Sequence, residues 1–193
     1  MNFIFFQFHT PIYKIPVCAS KEKKIGIIGS RSVSLQCRLP RIGFTLGQFI
    51  PVMCLVENHS NKLLTLKAIL HQQIFLMALS ERKVCCRKVH KIIGPNIKPN
   101  SKFEQIVNVS LPEQLPIVFD TCNLVHINYI LDIYLDIPIA VNLHCPLPVI
   151  LTYQQLDIEP INLFKQSTIS SHRLSLCSFD CKENADDINV DNK

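Results

Sequence analysis

The sequence predicts an all-β protein: an immunoglobulin-like antiparallel β-sandwich of about seven strands within residues 32–152. Three observations support this. Between Cys122 and Thr152 the chain begins with an alternating run. Val125, Ile127, Tyr129, Leu131, Ile133, Leu135 and Ile137 fall on one parity, with His126, Asn128, Asp132 and Asp136 on the other. A period of two marks a strand with one face on a core and one toward water. Turn residues punctuate the chain at short intervals from residue 32 onward. No segment carries a convincing long helical pattern.

The strands follow in order. Val33, Leu35, Cys37 and Leu39 alternate with Ser34, Gln36 and Arg38, and Pro40 stops this strand by withholding a ladder donor. Arg41–Gln48 sets two glycines around Phe44 and reads as a tight turn. Phe49–Glu57 is the second strand, apolar on both faces, and Asn58-His59-Ser60-Asn61 turns it. Thr65–Leu79 holds Leu, Ala, Lys and Gln, which favour a helix. Its parity (Leu66, Ala68, Leu70, Ile74, Leu76 and Ala78 together) makes it a strand instead. Val84–Ile93 is the fourth, ending in a Gly94-Pro95-Asn96 loop, and Phe103–Leu111 is the fifth. Leu111–Pro116 connects to the long alternating strand, which Pro138 ends. Leu143–Leu151 carries Pro146 and Pro148 and is expected at a sheet edge.

Residues 1–31 read as a leader, similar to an interdomain linker. Pro11 and Pro16 favour an extended path, and Lys21-Glu22-Lys23-Lys24 is a solvated charge run. The opening MNFIFFQF lacks a basic n-region, so no signal peptide is expected, and no apolar run reaches transmembrane length. Residues 153–193 carry four basic against seven acidic residues and are expected to be a disordered acidic tail. Residues 1–152 carry sixteen basic against eight acidic. A basic sandwich with an acidic tail suits an anionic partner, or screening by its own tail.

Nine cysteines could form a disulfide framework in a secreted protein, but their spacing argues for thiols. Cys37, Cys54, Cys122 and Cys145 sit among strand residues. Cys85 and Cys86 are adjacent and point to opposite faces. No C-x-x-C occurs, and Cys177 and Cys181 have no second pair. No metal and no cofactor is expected. Gly26-x-x-Gly29 lacks the helix and Lys-Ser/Thr of a phosphate loop. Asp132 and Asp136 lie about 13 Å apart along a strand, too far for cooperating carboxylates, and read as solvated outer-face residues. His59, His71, His90, His126 and His144 show no ligand spacing. Asn58-x-Ser60 and Asn108-x-Ser110 match the glycosylation pattern, which only a secreted protein would use. No catalytic constellation emerges, so the chain is not expected to be an enzyme.

Taken together, these landmarks resemble the C-terminal domain of arrestins, in its α-arrestin (arrestin domain-containing) branch. Arg41–Gln48 is similar to the family's basic-x-Gly-aromatic-x-Pro-Gly-acidic turn, with Leu46 and Gln48 in place of the Pro and the acidic residue. Glu57-Asn58-His59-Ser60 resembles its Glu-Asn-x-Ser/Thr strand ending. Pro112, Pro116, Cys122, Leu124, Ile127, Tyr129, Leu131 and Ile133 resemble its Pro loop and long strand. Asp136-Ile137-Pro138 and Leu147-Pro148-Val149-Ile150 resemble its last two landmarks, though Ile139 and Leu151 stand where Gly is common. The order and spacing of these elements cover residues 32–152.

The resemblance implies a non-catalytic adaptor in the cytoplasm, peripheral at plasma membrane or endosomes. It would bind cytoplasmic segments of membrane proteins in trafficking, endocytosis or signalling. An arrestin has two such sandwiches, and residues 1–31 are too short to supply the first, so exposed interdomain surface and self-association are expected. No Pro-Pro-x-Tyr occurs, so ubiquitin-ligase recruitment through WW domains is not expected. The candidate contact residues are Arg82, Lys83, Arg87, Lys88 and Lys91, facing anionic lipid headgroups or a phosphorylated segment. The bland alternative is a solvated strand face. Nucleic acid is not expected, because no aromatic residues interleave with this patch. The competing readings are a secreted or cell-surface immunoglobulin-like adhesion domain, which predicts disulfides, and a truncated half-arrestin without independent function.

Overall fold

Alternating burial gathers the chain into nine strands and two sheets in the computed structural model, which describes residues 11–25, 31–78, 81–117 and 124–153. A short 3-10 turn at Pro11–Lys14 precedes β1 (Val17–Ile25), β2 (Arg31–Leu39), β3 (Gly43–Thr45), β4 (Phe49–Asn58) and β5 (Leu64–Ala78). β6 (Glu81–Ile97), β7 (Ser101–Ser110), β8 (Val125–Asp136) and β9 (Leu143–Thr152) follow. One sheet runs β1-β2-β4-β7 and the other β3-β9-β8-β5-β6. Every pairing is antiparallel except β3 with β9. No α-helix occurs among the described residues.

The core lies between the sheets. Val33, Leu35, Cys37 and Leu39 of β2 and Ile50, Val52, Cys54 and Val56 of β4 face Leu66 and Leu70 of β5, Leu131, Ile133 and Leu135 of β8, and Cys145 and Leu147 of β9. Each large apolar side chain buried this way contributes about 1.5–3 kcal/mol. Within Thr65–Leu79, where composition favours a helix, Thr65–Ala78 is strand because only a period of two keeps Leu64, Leu66, Ala68 and Leu70 inside together.

The two strands beyond the expected seven are β1 and β3. β1 lies within the stretch read as an extended leader, and it pairs with β2 along its whole length, from Val17 opposite Leu39 to Ile25 opposite Arg31. Its alternation is hidden because Lys21 and Lys23 share the parity of Val17, Ala19 and Ile25. Lys23 Nζ reaches out to donate to the Val141 carbonyl at 2.6 Å. β3 lies inside the expected turn and is too short for any period to show. Its landmarks nonetheless have physical reasons. A Cβ on Gly43 would lie 2.7 Å from Tyr13 Cδ1, Gly47 has φ 76°, and the Arg41 guanidinium sits 5.3 Å from the centre of the Phe44 ring. β9 pairs with β3 only at Ile150–Thr152, so Pro146 and Pro148 lie on a stretch that β3 leaves uncovered.

Asn58 ties the loops at one end. It is fully buried, its Nδ2 donates to the carbonyls of Lys62 and Lys98, and its Oδ1 accepts from the amide and hydroxyl of Ser60. This accounts for the Glu-Asn-x-Ser landmark as a turn lock. The expected acidic tail, residues 1–10 and Cys122, Cys177 and Cys181 lie outside the described residues.

Candidate functional site

β6 carries the candidate residues, and the sheet order makes it an outermost strand. Two bulges set its faces. Leu70 pairs with His90 and His71 with Lys88, leaving Val89 as an extra residue. Thr65 pairs with Asn96 and Lys67 with Ile93, leaving Gly94-Pro95 opposite Leu66. Gly94 fits there because a Cβ would stand 3.0 Å from the Leu66 carbonyl oxygen.

Directly opposed residues of an antiparallel pair share a face, so the register sorts the basic residues. Arg87 stands opposite Gln72 and Lys83 opposite Leu76, on the core-side parity. Lys88 stands opposite His71 and Lys91 opposite Ile69, on the outer parity. The backbone of Arg82 pairs with Met77. The basic strand therefore presents charge on two faces of one hairpin, and Lys83, Arg87, Lys88 and Lys91 are all exposed.

Arg87 is also built into the fold. Its Nε donates to Gln72 Oε1 at 2.5 Å; Gln72 Nε2 donates to Tyr129 Oη at 2.6 Å; Tyr129 Oη donates to the Pro116 carbonyl at 2.7 Å. Gln72 is fully buried, so this chain supplies the partners its amide needs. Burial pushes the Tyr129 phenol up, with Gln72 and Arg87 opposing that.

Beside these charges the end of the β5–β6 hairpin exposes apolar side chains: Leu76 at 38%, Met77 at 41% and Val84 at 47%. Met77 N donates to the Leu124 carbonyl at 2.8 Å, which brings Leu124, 60% exposed, to the same end. The sequence gives no hint of this, because Leu76 continues the parity of the core residues.

The outer face of the same sheet corrects the reading of Asp132 as solvated. Asp132 is only 3% exposed; its Oδ2 lies 2.7 Å from His144 Nδ1, and its Oδ1 has no hydrogen-bond partner. The Tyr134 ring stacks on His144 at 5.0 Å, and Lys67 Nζ donates to the Asp136 carboxylate. Burial holds His71 below the usual imidazole range; Asp132 opposes this, while Lys88 and His144 add to it. Pairing across β8 and β9 creates this cluster, so spacing along the chain could not reveal it.

Three thiols meet in the core. Cys37 stands opposite Cys54, and hydrogen bonding with Cys145 and Cys54, with burial added, pushes the Cys37 thiol far above its ordinary range. Such a thiol is a poor nucleophile. Among the described residues no group of His, Cys, Asp and Glu is suited to a metal ion, and no helix is long and apolar enough to cross a membrane.

A two-sheet sandwich whose distinctive chemistry lies on an exposed hairpin has the form of an interaction domain. Residues 29–156 match the family described as arrestin (or S-antigen), C-terminal domain, and the chain belongs to that family. Its relatives are α-arrestins. It is 29% identical over 146 residues to arrestin domain-containing protein 4 of Homo sapiens, covering 74% of this chain and 35% of that one. It is 26% identical over 145 residues to thioredoxin-interacting protein of Sus scrofa, covering 74% and 37%. The chain thus spans about a third of the length of these relatives. Among solved structures, the sporulation control protein Spo0M of Bacillus subtilis aligns at a TM-score of 0.46 and 14% identity, over 69% of this chain and 49% of that one.

Proposed function

We propose that the chain is a non-catalytic arrestin-like adaptor of the cytoplasm that acts at membranes. There it contacts cytoplasmic segments of membrane proteins, with the β5–β6 hairpin end laid against anionic lipid. Membership of the arrestin family supports the adaptor role. The observation that carries the lipid reading is the mixture at the hairpin end. Exposed Leu76, Met77, Val84 and Leu124 lie beside exposed Lys83, Arg87 and Lys88. Apolar side chains flanked by cations suit the boundary between headgroups and acyl chains. A phosphopeptide site would gather convergent Arg donors instead, and here Arg87 spends its Nε on Gln72.

Each basic side chain near an anionic surface contributes about 1 kcal/mol. Lys83, Arg87, Lys88 and Lys91 together supply about 4 kcal/mol at most, a partition of several hundredfold that salt weakens. The test is cosedimentation of the purified full chain with vesicles of phosphatidylcholine alone or mixed with phosphatidylserine. The triple variant Lys83→Glu, Lys88→Glu, Lys91→Glu should lose at least tenfold of its binding to the anionic vesicles. Unchanged vesicle binding, or loss of phosphopeptide binding alone, overturns the lipid reading.

A further inference from the structure

Cys85 and Cys86 lie in the middle of this patch, both exposed and neither in a disulfide. Cys85 pairs with Ile74 and Cys86 with Gln73, so the two thiols leave opposite faces of β6. Because β6 is the outermost strand, both faces adjoin any surface its edge lies against. Lys83 precedes the pair, Arg87 and Lys88 follow it, and exposed Val84 is its neighbour. The other described thiols differ. Cys37, Cys54 and Cys145 are buried, and exposed Cys18 stands opposite Arg38 in the other sheet.

From this juxtaposition we propose that Cys85 and Cys86 are a site of S-acylation by a long-chain fatty acid. The chemistry is thioester exchange. A cysteine thiolate attacks the carbonyl carbon of a long-chain acyl-CoA delivered by a membrane acyltransferase. The new bond from Sγ to the acyl carbon forms as the bond to the coenzyme A sulfur breaks. The departing coenzyme A thiolate takes up the proton that the cysteine gave up, and nothing is oxidised or reduced. The acyl chain would enter the bilayer beside Val84 and Leu76 while Lys83, Arg87 and Lys88 stay among the headgroups. A basic patch alone, or one acyl chain alone, holds a protein only reversibly, and the two together anchor it. This inference rests on the lipid reading above and adds its second signal.

The test is metabolic labelling of the full chain in cultured cells with an alkyne analogue of palmitate, with hydroxylamine release to identify thioesters. Label should fall at least fivefold in Cys85→Ser/Cys86→Ser and hold in Cys18→Ser, and the membrane-bound fraction should fall with it. Peptide mass mapping of the wild-type chain should place the acyl group on 85 or 86, independent of how any variant folds. Label that survives in Cys85→Ser/Cys86→Ser, or is missing from the wild type while an acylated control protein is labelled, overturns the proposal. Vesicle binding by the purified, unacylated chain separates the two readings. Binding without cellular label removes only the acylation, and label without such binding removes only the charge-driven contact.

Discussion

Replacing Asn58 by alanine removes four hydrogen bonds from one buried side chain. The Lys62 and Lys98 carbonyls are part-buried and can recover water. The Ser60 amide and hydroxyl are buried and cannot. A buried donor left without a partner costs about 1–3 kcal/mol, so the two Ser60 donors set an expected loss of about 3 kcal/mol. For a chain of this size that is a fall of about 6–12 °C in Tm. Urea unfolding followed by circular dichroism measures it, with the slope against denaturant expected to stay unchanged. Asn58→Asp keeps the acceptor that Ser60 uses and turns the donor into a second acceptor against two carbonyls, so it separates the halves of the lock. A loss below about 1 kcal/mol for Asn58→Ala would refute the reasoning, since water would then be satisfying Ser60.

Tyr129→Phe removes the hydroxyl between Gln72 and the Pro116 carbonyl and should cost about 1–2 kcal/mol. A double-mutant cycle with Gln72→Leu should show clear coupling in the same unfolding assay. His71 is held low in the fold, so the unfolded chain binds the extra proton between the two pKa values, and stability contributed by neutral His71 falls as pH drops through about 6.5. Lys88→Gln removes one cause of that shift and should raise the His71 titration midpoint in NMR. Brief alkylation of the native chain followed by mass mapping should modify Cys18, Cys85 and Cys86, and reach Cys37, Cys54 and Cys145 only in denaturant.

The strands with an unbroken apolar parity were legible in the sequence, and so was the sandwich they require. β1 was not, because Lys21 and Lys23 occupy its inward parity, and Lys23 reaches out to the Val141 carbonyl. β3 was not, because three residues cannot display a period. The basic run of β6 was visible as composition, but its faces were not. Strict alternation groups Lys83, Arg87 and Lys91, whereas the bulge at Val89 sends Lys91 to the side of Lys88. The Asp132–His144 contact also escaped, since it depends on how β8 and β9 align rather than on either strand alone.

The two bulges of β6 also bear on how copies of this protein coexist. A straight, seventeen-residue strand at the end of a sheet is a template for polymerisation, because a neighbour's strand can zip along its open backbone. Each bulge interrupts the spacing of donors and acceptors and adds local twist, so the regular run of β6 is cut back to Glu81–Lys88. Like charges on both faces push a second copy away. A shortened, twisted edge of this kind disfavours fibrils, which demand one long register, more than it disfavours a fluid surface, which demands none.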